Sequence, residues 1–264
     1  MSAQDINIVE LRKHFFFPVS EDKCFELFDK VHEKLPSAHQ EISAAFRHNL
    51  VAASDVLSMP FHLASVSVFR RNLRDHISEA VADVEAAGVS EEGKDDAVEA
   101  RIKELALEGD ELDKTDAYTT TAIFDEMLAV FRYSSGYDRA TQELLRQGVV
   151  LVWGALEVLV LDCYRLWCGK QADPKKALQE MIPQYETGKE FLKDLELWEL
   201  YNRRHLIVHR RGIVDEKFAK ETGFKLAVGT EVVVTPLDLE NYFDTAVVTA
   251  MSILLMSCKR AVDK

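Results

Sequence analysis

A chain of 264 residues, 47% of them hydrophobic, is long enough for one large domain or two of ordinary size and apolar enough to build a core without staples. Its four cysteines, Cys24, Cys163, Cys168 and Cys258, form no C-x-x-C pair, which excludes a zinc ribbon or a thioredoxin-type site and reads as a set of reduced thiols. A net charge of −13 speaks against extensive wrapping of a nucleic acid, but the charge is uneven: residues 83–116 carry thirteen acids against four bases, residues 199–220 six bases against three acids.

The opening MSAQDINIVELRKHFFF has neither the apolar run nor the small-residue cleavage site of a signal peptide. The longest apolar run, residues 149–161, is interrupted by Glu157 and shorter than a bilayer span, so a soluble cytoplasmic protein with no membrane partner is the expectation. The pattern predicts a first helix through Val9, Leu11 and Phe15-Phe16-Phe17, stopped at Pro18. Ser20 then caps a second, with Cys24, Leu27, Phe28 and Val31 on one face and Pro36 at its end. Helices over 38–57 and, past Pro60, over 61–86 follow. His32, His39, His48, His62 and His76 show no metal-like grouping and read as surface or core residues. Residues 87–93, with two glycines and no periodicity, break the chain. The acidic stretch 94–116 is weakly helical; its charge reads as a solvated face or, more sharply, as mimicry of a nucleic acid. One more helix over 119–131 precedes the turn Tyr133-Ser134-Ser135-Gly136.

Residues 137–168 are apolar nearly all round, which places them at the centre of a bundle, with Glu157 alone in their middle. A carboxylate there requires a partner, for which an arginine from the helix expected over 187–211 is the natural choice; structural pairing and the shaping of a cleft are both open to it. Asp173-Pro174 starts a short helix ending near Ile182-Pro183. A helix over 187–211 follows, and then residues 224–234, rich in β-branched side chains around Gly229, are expected to form a small β-hairpin. Thr235-Pro236-Leu237-Asp238 starts the closing helix, which runs to about residue 260. The expected fold is therefore an all-α helical bundle with a hairpin insertion.

The helix over 187–211 carries the chemistry. Its spacing Phe191, Leu195, Trp198 predicts an apolar seam that continues onto Asn202, His205 and His209, so that polar groups fall where a core is expected. Arg203 and Arg204 precede the histidines; Arg210 and Arg211 follow in the last turn, where cations oppose the helix dipole, and read either as cleft residues or as a solvated helix end. Gly212 is the predicted left-handed cap. The run Arg204-His205-Leu206-Ile207-Val208-His209, with its apolar filling and the sequel Gly212-Ile213-Val214-Asp215-Glu216, resembles the signature of the HEPN superfamily: an arginine four to six residues before a histidine, with a polar residue directly after the arginine. Arg71 to His76 fits the bare spacing too, but lies in a charged segment with no apolar run or glycine stop. The resemblance covers residues 136–264 and leaves 1–135 as a helical region of unrecognised role.

What the resemblance implies is a metal-independent endoribonuclease with Arg204, His209 and His205 as catalytic residues, no cofactor and no metal. RNA is the implied substrate, with a homodimer sharing composite sites and an antitoxin or regulatory partner in a toxin or defence setting. Asn202, Arg203, Arg210, Arg211 and Glu157 are the expected cleft residues. The residue types suit that chemistry. Histidine, with an unperturbed pKa of about 6.5, moves protons at neutral pH, and a guanidinium grips a phosphate and offsets charge on its oxygens. Residues five apart on a helix diverge by about 140°, so either a second copy supplies the missing group or the chain turns out of the helix before His209. Two other readings stay open. His205 and His209 share a helix face as zinc ligands do, although Leu206 stands where the H-E-x-x-H motif has glutamate. The domain can also bind RNA, nucleotide or protein without cleaving anything.

Overall fold

The computed structural model describes residues 13–19, 21–90, 93–112, 122–129, 137–182, 195–222 and 226–262. These hold α1 (Glu21–His32), α2 (Ser37–Leu57), α3 (Met59–Ala86), α4 (Lys94–Leu112), α5 (122–129), α6 (Tyr137–Cys168), α7 (Pro174–Met181), α8 (Leu195–Arg210), α9 (Glu216–Thr222) and α10 (Pro236–Val262). No strand occurs among the described residues, and the fold is all-α. The turn at 133–136 and residues 187–194 of the expected motif helix lie outside them, as do residues 1–12 and Ser20. The helix expected through Phe15-Phe16-Phe17 is not formed over 13–17. There Phe15 and Phe16 are buried, and Val19 N–H donates to Ser54 Oγ of α2 at 3.0 Å, which pins the segment by side chains and a tertiary bond.

The chain forms two compact units, one holding α3 to α5 and the other α1, α2 and α6 to α10. The division therefore does not fall at the expected 135/136 boundary. Helices α1 and α2 and the segment before them share one core cluster with the C-terminal helices: Phe16 stacks on Phe243 of α10 with centroids 5.2 Å apart, and Phe28 of α1 packs on Phe46 of α2 at 5.5 Å. In the smaller unit, α3 and α4 are laced by Arg101–Asp83 at 2.8 Å and Lys94–Glu85 at 2.9 Å. Arg71, of the second Arg-to-His match, is paired with Glu126 of α5.

In the larger unit local rules set the helix starts. Asp173 accepts from Lys176 N–H at 3.0 Å ahead of Pro174, and Thr235 and Asp238 exchange hydrogen bonds in a capping box ahead of Pro236. Helix α6 is the centre, with Val149, Val152, Trp153, Leu156, Leu159 and Val160 buried. Gly148 marks its closest crossing: a Cβ there would lie 2.7 Å from Leu57 of α2 and 3.0 Å from Leu239 of α10. Among the described residues, two helices are by length and composition apolar enough to cross a membrane, over residues 139–168 and 236–258, stretches longer than the 149–161 run; about half and two thirds of their most apolar windows are buried inside the protein.

The expected hairpin over 224–234 is replaced by a different pairing. Residues 229–232 bond to 212–214, with Val214 N–H donating to Thr230 O at 2.8 Å, Gly229 N–H to Val214 O at 2.8 Å and Val232 N–H to Gly212 O at 2.7 Å. An isolated antiparallel bridge joins Ile213 to Glu231. The β-branched residues pair with the exit of α8 because Val232 and Val234 are then wholly buried, and Arg146 of α6 clamps them, donating to Val232 O at 3.1 Å and pairing with Glu231 at 2.6 Å. Residues 223–225 lie outside the described residues.

Candidate functional site

Helix α8 turns a different face to the core from the one its Leu195–Trp198 spacing predicts. Leu197, Leu200, Arg203 and Leu206 are its buried residues, while Trp198, Asn202 and His205 are half-buried on the shoulder and His209 is exposed. The polar group on the core seam is thus Arg203, 7% exposed, and its two terminal nitrogens are engaged while its Nε is buried without a hydrogen-bond partner. Its guanidinium pairs with Glu199 at 2.6 Å and Asp238 at 3.3 Å, donates to Val233 O at 3.2 Å and lies 5.8 Å from the Tyr242 ring. Tyr242 in turn donates to Glu199 at 3.0 Å. Burial pushes the Glu199 carboxyl above its ordinary value against the pull of Arg203 and Tyr242. Arg203 therefore joins α8 to α10 and lies away from the cleft to which the sequence assigns it.

Arg204 reaches the opposite way, to Glu157 of α6, at 3.5 Å, with both side chains 27% exposed. Glu157 also accepts from Trp153 Nε1 at 2.9 Å, which orients the carboxylate. The expected arginine partner of Glu157 is thus Arg204. A contact of 3.5 Å between half-exposed groups is weak. His205 and His209 stand together, ring centroids 4.7 Å apart. Burial first, then the charges of His209, Lys217 and Arg204, lower the pKa of His205, with Asp215 opposing, so its ring is neutral at neutral pH.

The helix ends one residue past His209. Gly212 N–H bonds back to Leu206 O at 3.0 Å, closing a Schellman-type turn in which the first left-handed residue is Arg211, φ +54°, and Gly212, φ +75°, follows. The cap predicted at Gly212 thus begins one residue earlier, on a residue with a Cβ. Arg210 turns toward Asp215 at 3.6 Å, and Asp215 caps α9 by accepting from Phe218 N–H at 2.8 Å. Both Arg210 and Arg211 are exposed.

Beside His205 opens a shallow cleft between α7, α8 and α9, lined by Lys175, Tyr201, Asn202, His205, Asp215 and Lys217 over a floor of Leu206 and Phe218. Of the predicted site residues it gathers Asn202 and His205; His209 touches it through His205, and Arg204, Glu157, Arg210 and Arg211 stand outside its lining. Lys175 and Lys217 escaped sequence reasoning. The Asp173-Pro174 cap places Lys175 at a helix start, but nothing in the linear chain ties that start to residue 205. Among the described residues no three His, Cys, Asp or Glu side chains group as metal ligands, so the histidine pair gains no third ligand there. The chain matches no protein-family model, no curated protein and no solved structure.

Proposed function

We propose that this chain is a metal-independent endoribonuclease of the HEPN type, acting as a homodimer whose two sites are shared. The observation that carries the reading is the histidine pair: two imidazoles in ring contact at the exposed end of α8, one of them favoured neutral, beside a cleft with cationic walls. An RNA 2′-hydroxyl is already next to its phosphate, so positioning, proton transfer and charge stabilisation suffice. His209 takes the 2′-hydroxyl proton, the 2′-oxygen bonds to phosphorus, and the bond to the 5′-oxygen breaks as that oxygen receives a proton. The products are a 2′,3′-cyclic phosphate and a 5′-hydroxyl. In-line displacement puts acid and base on opposite sides of phosphorus, and the histidine pair of a second copy supplies the other side. Arg204 offsets the growing charge on the phosphate oxygens; its weak pairing with Glu157 costs little to exchange for phosphate. It leaves α8 away from His209, which is the geometric motive for a site shared across a two-fold axis. A cytoplasmic ribonuclease of this kind needs restraint, and an antitoxin or regulatory partner is part of the reading. A second reading, binding of RNA or nucleotide without cleavage, is favoured by the engagement of Arg204 with Glu157.

The deciding experiment is RNA cleavage in EDTA by wild type, His209→Ala and Arg204→Ala. Each variant is expected to lose about 10²- to 10⁴-fold in rate while His76→Ala loses nothing. A mixture of the two inactive variants recovers part of the activity if chains exchange. Cleavage by both variants at the wild-type rate removes the assignment, and binding without cleavage in wild type selects the second reading. Activity lost in EDTA and restored by zinc moves it to the histidine pair as a metal site.

A further inference from the structure

We propose that the cleft beside His205 is a phosphate subsite in which Lys175 of α7 and Lys217 of α9 hold a phosphodiester next to the one that is cut. The identity of the ligand as RNA rests on the ribonuclease reading; the phosphate chemistry does not. Four polar side chains, Lys175, Asn202, His205 and Lys217, converge on this cleft, and none has a hydrogen bond or carboxylate partner among the described residues. The contrast with the neighbouring lysine is direct: Lys176 faces Glu180 at 3.8 Å, whereas Lys175 is steered by the rings of Trp198 and Tyr201, 5.7 and 6.0 Å from its Nζ. An ammonium held over aromatic faces keeps its three donors for a ligand. Asp215, the acid in the lining, is already engaged with Phe218 N–H and Arg210, so the cleft keeps an excess of positive charge. Tyr201 adds an aromatic wall and Asn202 an amide, which suit a nucleotide better than a bare anion. The subsite also couples to the chemistry: burial first, and then the charges of His209, Lys217 and Arg204, disfavour protonated His205, and a phosphodiester seated between the lysines offsets the charge contribution and favours the form that can give a proton.

The test is binding, by fluorescence anisotropy, of a labelled 2′-O-methyl oligoribonucleotide that cannot be cleaved, to the full chain over a series of salt concentrations. The double variant Lys175→Ala with Lys217→Ala is expected to weaken binding by about tenfold and to reduce the slope of log K against log salt by about 0.7 for each lysine lost. Lys176→Ala should bind as wild type does. Because Lys175 rests on Trp198, Lys217→Ala alone is the safeguard; its exposed side chain leaves folding untouched and it should show half of the slope change. Unchanged affinity and slope in the double variant overturn the subsite, as does displacement of the oligonucleotide by polyglutamate as readily as by adenosine 5′-monophosphate. Displacement by the monophosphate but not by adenosine, lost in the double variant, keeps the phosphate chemistry and assigns it to a free nucleotide. Loss of the ribonuclease reading leaves this assay intact, since no step in it requires cleavage.

Discussion

Two polar regions share helix α8 and differ in how their hydrogen-bonding capacity is used. Toward the core, Glu199, Arg203, Asp238 and Tyr242 pair with one another at 2.6 to 3.3 Å and join α8 to α10, with only Arg203 Nε of that guanidinium left unbonded. Toward solvent, Asn202 and His205 have no hydrogen-bond partner among the described residues, and His209 has only the neighbouring ring. The inner region places charge where an amphipathic helix alone would place leucine. The first is a join between helices and the second keeps capacity for something outside the chain. What separates the two sets of polar residues is whether each has a partner among the described residues. The adjacent pair Arg203 and Arg204 makes the point at one residue's resolution: about 100° of helical rotation takes one guanidinium into the core and the other to a half-exposed carboxylate.

The largest expected effect comes from breaking the inner region. Arg203→Ala leaves Glu199 and Asp238 without their cation in a place that water reaches poorly, and unfolding by urea should show a loss of about 3 to 5 kcal/mol. Asn202→Ala, His205→Ala and His209→Ala, from the outer region, should each stay within about 1 kcal/mol of wild type. Equal losses on both sides would erase the distinction, and the outer residues would then have to be counted as structural.

Much of the fold was legible because caps and breakers are local. Asp173-Pro174, Thr235-Pro236-Leu237-Asp238 and the glycines after 86 set boundaries that the helices obey, and α6 occupies the predicted 137–168. The phase of α8 was not legible, since leucines and aromatics stand on two adjacent stripes, Leu195–Trp198 and Leu197–Leu200, and only the carboxylates of Glu199 and Asp238 decide which one Arg203 joins. The division into units was also hidden. Phe16 finds its partner at Phe243, and no local rule carries information over that separation. Of the site, the histidine pair and the Glu157–Arg204 contact were readable from helical spacing and from the need of a lone carboxylate. Lys175 and Lys217 were not, because they reach the cleft from two other helices.

A smaller effect sharpens the comparison at the outer end. Arg211 adopts φ +54°, a left-handed conformation that costs a residue with a Cβ about 1 kcal/mol, while the inner region shows no such residue. Arg211→Gly should therefore stabilise the protein by about 1 kcal/mol, measured as a higher urea midpoint, and Gly212→Ala, at φ +75°, should destabilise it by a similar amount. A fall in stability for Arg211→Gly would mean that contacts of the arginine side chain outweigh its backbone strain, and the outer end would then resemble the inner one.

The smallest effect lies in the pH dependence, where the two regions should move in opposite directions. Burial raises the Glu199 carboxyl above 4.5 in the folded protein, so the folded state holds that proton more tightly than the unfolded chain does. Its contribution to stability is greatest below 4.5 and is lost as pH rises through the raised value. For His205, burial and the neighbouring positive charges lower the pKa below 6.5, so the unfolded chain binds the proton first; stability is fully present above 6.5 and is lost as pH falls through the lowered value. Urea midpoints between about pH 4 and pH 8 should therefore show that Glu199→Gln removes a decline with rising pH and His205→Gln removes a rise. The His205 effect is the weaker of the two because its ring is half-exposed and solvent screens the charges around it. If both variants flattened the profile in the same direction, the neutral imidazole on which the proton-transfer reading of the outer region depends would have to be given up.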